Sequence, residues 1–326
     1  MPPATHHARR LGCAAALLVA VTVGHVNVRA ADKTVSRDTA RKAIARVGGL
    51  ELKTGDVRVE SISGTGTTAE VAATIKTAFR LRKGAGGRWR VVELRVGDRQ
   101  WEQIELLLAA WRVAPSAPLL TQLETLVAQF VERERARAAE QEQRKAEEAQ
   151  ADAARTKDER RHKKKEPPAP PPADLRAGPF IVDGFSALLS AATVETRLAM
   201  TFRLGRERGA WRVTEARLGD GPWADVAALT RALDAEKAVR ARADLQILAD
   251  ALSAFRRERG FYVVADTAAV LVDQLNPRYT TAVVRVDPWH RPYDYKGQRD
   301  SFVLRSLGPD GKPDTPDDVT AAHGAQ

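Results

Sequence analysis

Cysteine is nearly missing from this chain of 326 residues: Cys13 is the only one. A lone thiol excludes an internal disulfide and a cysteine-ligated metal, so stability must come from packing. Histidine is scarce as well. Beyond residue 30 only His162, His290 and His323 remain, none at the spacing of a metal-binding H-E-x-x-H helix. There is no G-x-S-x-G nucleophile elbow, and Gly84 to Gly87 lack the Lys-Ser/Thr that completes a phosphate loop. No pair of carboxylates stands out as an acid and a base, although strand-end acids could still meet in space. The expectation is a protein that is not an enzyme.

Long apolar runs are missing too. The longest, Leu11 to Val23, is about a dozen residues, short of the ~20 that a helix needs to cross a bilayer. It follows the basic His6, His7, Arg9 and Arg10 and precedes Val28-Arg29-Ala30, the order of a cleaved signal peptide over residues 1–30. An uncleaved anchor is the alternative. Cys13 lies inside this run, so the mature chain has no thiol. The chain is expected to be periplasmic or secreted, with no membrane span in its mature form. Removing Arg9, Arg10 and Arg29, with no acid among the first thirty residues, lowers the formal charge from +10 to +7. The remaining basic residues are interspersed with acids, so nucleic acid is not an expected partner.

The most prominent feature present is an internal duplication. Phe79-Arg80-Leu81, Trp89-Arg90-Val91, Gly97-Asp98 and Trp101 recur as Phe202-Arg203-Leu204, Trp211-Arg212-Val213, Gly219-Asp220 and Trp223. The tryptophans and Gly-Asp pairs are 122 residues apart and the phenylalanines 123, so the copies differ by one residue in a turn. Val71 to Leu81 and Val194 to Leu204 alternate with period two and are rich in β-branched residues, as half-buried strands are. Glycine-bearing turns lead to return strands at Trp89–Val96 and Trp211–Leu218, and earlier strands are expected at Val57–Ile62 and Phe180–Asp183. A helix with one apolar stripe should follow each: Trp101, Ile104, Leu107, Leu108 and Trp111 in the first copy, and Trp223, Val226, Leu229 and Leu233 in the second. In Gly-Asp-x-x-Trp, the Asp reads as a helix cap and the Trp as an anchor on the sheet. A short helix over Arg37–Val47 is expected before the first copy.

Between the copies, residues 132–166 hold twelve lysines and arginines against ten acids and almost nothing apolar. Such a stretch forms a solvated helix or stays disordered. Pro167 to Pro172 then make a stiff spacer. After Ala238 the second helix continues: Leu245, Leu248, Leu252 and Phe255 repeat at helical spacing up to Gly260, a helix stop.

The last eighty or so residues carry two motifs in order. Asp287-Pro288-Trp289-His290-Arg291-Pro292-Tyr293-Asp294-Tyr295 resembles the DPWGxPYxY hairpin of the type II secretion major pseudopilin. Ser306-Leu307-Gly308-Pro309-Asp310-Gly311-Lys312-Pro313, followed by Asp317-Asp318-Val319, is similar to that family's calcium loop, SLGxDGxP…DDI. The resemblance covers about residues 238–320. It implies calcium held by the carboxylates of Asp310, Asp317 and Asp318 and by the carbonyls of Leu307 and Lys312. The residues agree independently: Asp310, Asp314, Asp317 and Asp318 fall within nine positions among turn-forming Gly and Pro, the oxygen-rich, bent chain that a hard cation takes. The alternative is a polar tail whose aspartates only start turns. The sequence departs from the family at His290, where a glycine is usual, and His290 reads as a packing substitution. It also lacks the long apolar helix through which pilins pack into a fibre.

The expected fold class is α+β. A signal peptide (1–30) precedes a first meander-helix unit (31–131), a charged and Pro-rich linker (132–173), a second unit (174–237) and a pseudopilin-like domain (238–326). The expected role is an exported, non-catalytic interaction or scaffolding protein. Its expected partners are proteins of the cell envelope, secretion-system components among them. A periplasmic protein that binds a ligand or envelope polymer through the meanders is the alternative.

Overall fold

The computed structural model describes residues 34–64, 66–112, 118–154 and 176–323. The expected signal peptide, His162, Lys163 to Lys165 and the proline spacer lie outside the described residues.

Two long strands, β2 (Thr68–Lys83) and β7 (Ala191–Glu207), take up the alternating stretches of the two copies. They pair antiparallel from Thr68 opposite Gly205 to Arg82 opposite Ala191. β7 covers one whole edge of β2. The other edge is shared, end to end, by β1 (Val57–Ser63) and β3 (Trp89–Val96), with Val57 opposite Ile75 and Val96 opposite Thr77. The second copy repeats this: β6 (Phe180–Leu188) and β8 (Ala210–Leu218) share the outer edge of β7, Phe180 opposite Leu198 and Leu218 opposite Met200. Consecutive strands pair antiparallel in both copies. The expected meander is nonetheless corrected: the outer two strands share one edge of the long strand instead of flanking it, because its other edge is spent on the long strand of the other copy. A long bare edge is an aggregation hazard, and duplication closes both edges at once. The 123-residue offset carries Ile75 onto its own partner Leu198, so that pair marks the pseudo-twofold centre.

The two apolar cores therefore mix the copies. One holds Val57, Val71 and Ile75 with Phe202, Leu204 and Ala216 under helix α1 (Arg37–Ala45), which Ser36 caps. The other holds Phe79, Leu81 and Trp89 with Phe180 and Val194. It is covered by α2 (Ile104–Ala110) and by the start of α3 (Pro118–Ala154) through Leu120, Leu123 and Val127. From residue 132 to 154 the charged segment continues α3 as a helix, its described side chains almost all exposed.

Short strands, β4 (Glu102–Gln103) and β9 (Ala224–Asp225), intervene between each Gly-Asp pair and its helix, while β5 (Arg176–Ala177) opens the second copy. The Gly-Asp aspartates are thus displaced from capping. Asp98 is held instead by Lys53 (2.7 Å) and Lys76 (3.6 Å), and the cap of α4 (Val226–Arg259) is Asp225, which accepts from the Ala228 N–H at 2.6 Å. The tryptophans rest half-buried against the sheet through its arginines. Trp101 lies between the guanidinium groups of Arg80 and Arg95, 4.2 and 4.9 Å from the ring centre, and Trp223 between those of Arg203 and Arg217, 4.0 and 4.7 Å away.

Helix α4 serves both halves of the molecule. Its first turns pack against α2. Its later turns bury Leu245, Leu248, Leu252 and Phe255 against Tyr262, Tyr293, Tyr295, Phe302 and Leu304. Gly260 ends it in the left-handed conformation (φ 80°). A short helix, α5 (Ala269–Leu275), and a three-stranded antiparallel sheet of β10 (Asp294–Gly297), β11 (Phe302–Ser306) and β12 (Val319–His323) complete this module.

Candidate functional site

The loop between β11 and β12 is organised from the hairpin that precedes β10. Asp287 is buried and acts as its knot. Its Oδ1 accepts from the N–H groups of Trp289 (3.0 Å) and Arg291 (2.9 Å), and its Oδ2 from the Ser306 hydroxyl (2.6 Å). Arg291, thus aimed, donates to the carbonyls of Gly308 and Pro309. Gly308 is in the left-handed region (φ 59°), and a side chain there would stand 2.5 Å from the Asp317 carbonyl. The turn leaves no room for one.

Within the loop, three oxygens expected as ligands converge on the hydroxyl of Thr315: Asp317 Oδ1 at 2.7 Å, the Lys312 carbonyl at 3.1 Å and Asp310 Oδ1 at 3.4 Å. A hydroxyl carries one proton, so it serves one of the three at a time. The Asp317 carboxyl is held below the usual carboxylate range, first by this hydroxyl and then by the Asp310 N–H. The other two expected ligands stand elsewhere. The Leu307 carbonyl accepts from the Gly311 N–H at 3.1 Å. Asp318 Oδ2 accepts from the Asp314 N–H (2.8 Å) and from Arg305 (3.3 Å), while its Oδ1 is buried with no hydrogen-bond partner. Among the described residues, no three Asp, Glu, His or Cys side chains gather as a metal cage. Asp310 Oδ1 also accepts from the Lys312 N–H at 2.8 Å. The donor set nonetheless fits a hard divalent cation: it is all oxygen, with one buried carboxylate oxygen, Asp318 Oδ1, orphaned.

Two cations organise the loop that the sequence reading did not single out. One is Arg291. The other is Arg305, whose guanidinium joins Asp294 (2.8 Å), Asp314 (2.6 Å) and Asp318 (3.3 Å). The available signal was periodicity: Arg305 alternates with buried Leu304 and Ser306 on β11, which turns it toward the polar face.

A second cluster fastens the module to the duplicated domain. Glu102 on β4 accepts from Lys237 of α4 at 2.9 Å and from His290 Nε2 at 3.1 Å. Beside it, Trp289 Nε1 donates to Asp234 at 2.9 Å. Lys237 is 6 % exposed, a buried charge that needs its partner. Burial alone would raise the Glu102 carboxyl. The hydrogen bonds from His290 and then Lys237 overcome it and hold the group below its ordinary range. His290 has φ 68°, the left-handed backbone that a glycine adopts freely.

Residues 228–322 match the family model described as Type II secretion system (T2SS), protein G. The match begins near the start of α4 and ends within β12. Neither the curated proteins nor the solved structures compared with the chain give a match.

Proposed function

We propose that this chain is an exported, non-catalytic adaptor of the type II secretion apparatus, with a pseudopilin-like module as its docking face and the duplicated domain as its scaffold. The observation that carries this reading is the family match over 228–322, borne by a helix and three-stranded sheet fixed to another domain. The helix entering the module, α4, has Arg231, Asp234, Lys237, Arg240 and Asp244 in its first five turns and holds the duplicated domain through Glu102. Such a helix is too charged to pack into an apolar fibre core. Among the described residues no helix is long and apolar enough to cross a membrane. The module then meets secretion components from the side, as a partner of the assembly and not as a repeating subunit.

Calcium belongs to this proposal. Asp310, Asp317 and Asp318 would hold it through their carboxylates, and Leu307 and Lys312 through their carbonyls. When bound, it supplies positive charge at a loop crowded with acids and stabilises the docking face. The test is affinity capture of the full mature chain from envelope extracts of cells that carry a type II system, with calcium or with chelator. Enrichment of secretion components in calcium, lost with chelator, is the expected result. Equal recovery of those components on an unrelated bait overturns the adaptor reading. Enrichment indifferent to chelator keeps the adaptor and removes the ion.

A further inference from the structure

The duplication provides an internal comparison of one strand edge in two settings. In the first copy, the outer edge of β3 is sealed by α3. Leu120, Leu123 and Val127 bury Trp89, and Glu124 places its carboxylate on the Val91 N–H (3.1 Å) and on Arg90 Nη1 (3.2 Å). The equivalents 122 residues on are Trp211, Arg212 and Val213, in matching register: Val213 lies opposite Leu204 as Val91 lies opposite Leu81.

At this second edge, among the described residues, no carboxylate sits on the Val213 N–H as Glu124 sits on that of Val91. The helix beside β8 is α1, nine residues long, and it brings Lys42 and Arg46 into the gap in place of an acid. What remains is an open groove of about 790 Å³ between α1, the β7–β8 hairpin and the first turns of α4. Trp211, the half-buried counterpart of a fully buried tryptophan, forms its apolar wall. Four cations line it: Lys42, Arg46, Arg212 and Arg231. Asp38 is the one acid among the described residues that line it, and Lys42 already engages it at 2.8 Å. Arg212 meets Glu207 at the long distance of 3.9 Å. Strand pairing leaves the backbone open too. β9 covers β8 only at Glu215 and Ala216, and the alternation of the tight hairpin turns the N–H of Val213 away from β7.

We propose that this groove binds an acidic, leucine-bearing segment of a partner protein. A carboxylate of that segment takes the Val213 N–H and Arg212, as Glu124 takes Val91 and Arg90, and an apolar side chain covers Trp211. The first copy is the template for both contacts, and the basic rim selects the charge of the occupant. The site lies on the duplicated domain and does not rest on the adaptor reading of the C-terminal module.

The chain itself supplies the probe: a labelled peptide with the sequence of residues 118–131, which contains Leu120, Leu123, Glu124 and Val127. Its binding to the full chain is read by fluorescence anisotropy. Saturable binding is expected, weakened at least tenfold when the peptide carries Glu124→Gln or the protein carries Arg212→Glu. Arg46→Glu, on the exposed rim, should weaken it too, and Arg257→Glu in the distant module should leave it unchanged. No saturable binding overturns the proposal, as does equal affinity for the Gln peptide. Displacement by millimolar inorganic phosphate or by phosphatidylglycerol vesicles also overturns it, by making the groove a general anion site.

Discussion

At the residue scale, His290 shows a local cost exchanged for a distant contact. A non-glycine residue in the left-handed region costs about 1–2 kcal/mol, and in return the ring reaches Glu102, 188 positions earlier in the chain. The departure from glycine was visible in the sequence. Its partner was not, because nothing in the spacing of His290 points to a two-residue strand in the first copy. Glu102→Leu leaves Lys237 buried without a counter-charge and should destabilise the chain by about 3–5 kcal/mol in urea unfolding. His290→Gly should cost far less, since relief of backbone strain offsets the lost hydrogen bond. Equal losses in the two variants would remove the latch. The pH dependence has a definite sign. Glu102 is depressed in the folded state, so its contribution is complete above its ordinary pKa of about 4.3 and is lost as pH falls through the lower folded value. The stability difference between wild type and Glu102→Gln should therefore shrink on acidification from pH 6 to 3. A difference that grows toward acid contradicts the assignment.

The elements were largely legible, and their neighbours were not. Period-two alternation in Val71–Leu81 and Val194–Leu204 marks the strands and their buried faces, and the 122-residue offset marks the copies. Alternation reports which face of a strand is buried and is silent about what lies along its edge. The pairing of β2 with β7 therefore came only with the structure. The same limit applies to Trp101 and Trp223: the sequence sets each against the sheet, and the paired arginines on neighbouring strands that hold it there came only with the structure. Because each core takes residues from both copies, one copy is half of two cores and a whole of neither. Residues 34–131 expressed alone should fail to form a folded monomer, giving poorly dispersed amide resonances or a self-associated species on size exclusion. A well-dispersed monomer would refute the shared-core account. Within the full chain, Phe202→Ala should cost about 3–5 kcal/mol, and hydrogen exchange should quicken in α1 and β1, which lie in the other copy.

At the scale of the whole molecule, the question is what holds the C-terminal acidic loop in shape when no disulfide is available. The acids of that loop were legible as a group, while Arg291 and Arg305 were not, because a cation inside an acidic loop has no sequence signature of its own. In the structure these guanidinium groups already do part of what an ion would do: Arg305 neutralises Asp314 and Asp318, and Arg291 takes the carbonyls of Gly308 and Pro309. The loop should thus keep its form without calcium, and the ion should act by mass action on a folded state that already exists. At a hundredfold excess over Kd that stabilisation is about 2.7 kcal/mol. Thermal unfolding of the full chain should shift upward with calcium and return with chelator, and Asp310→Asn together with Asp317→Asn should abolish the shift. Arg305→Gln separates the two kinds of cation. With the guanidinium gone, Asp314 and Asp318 repel each other in the absence of the ion and attract it more strongly. The variant should melt lower than wild type in chelator, and its calcium-induced shift should be larger. A shift that disappears in Arg305→Gln would mean that the guanidinium builds the ion site instead of competing with it. No shift in the wild-type chain would leave the arginines as the only cations that the loop uses.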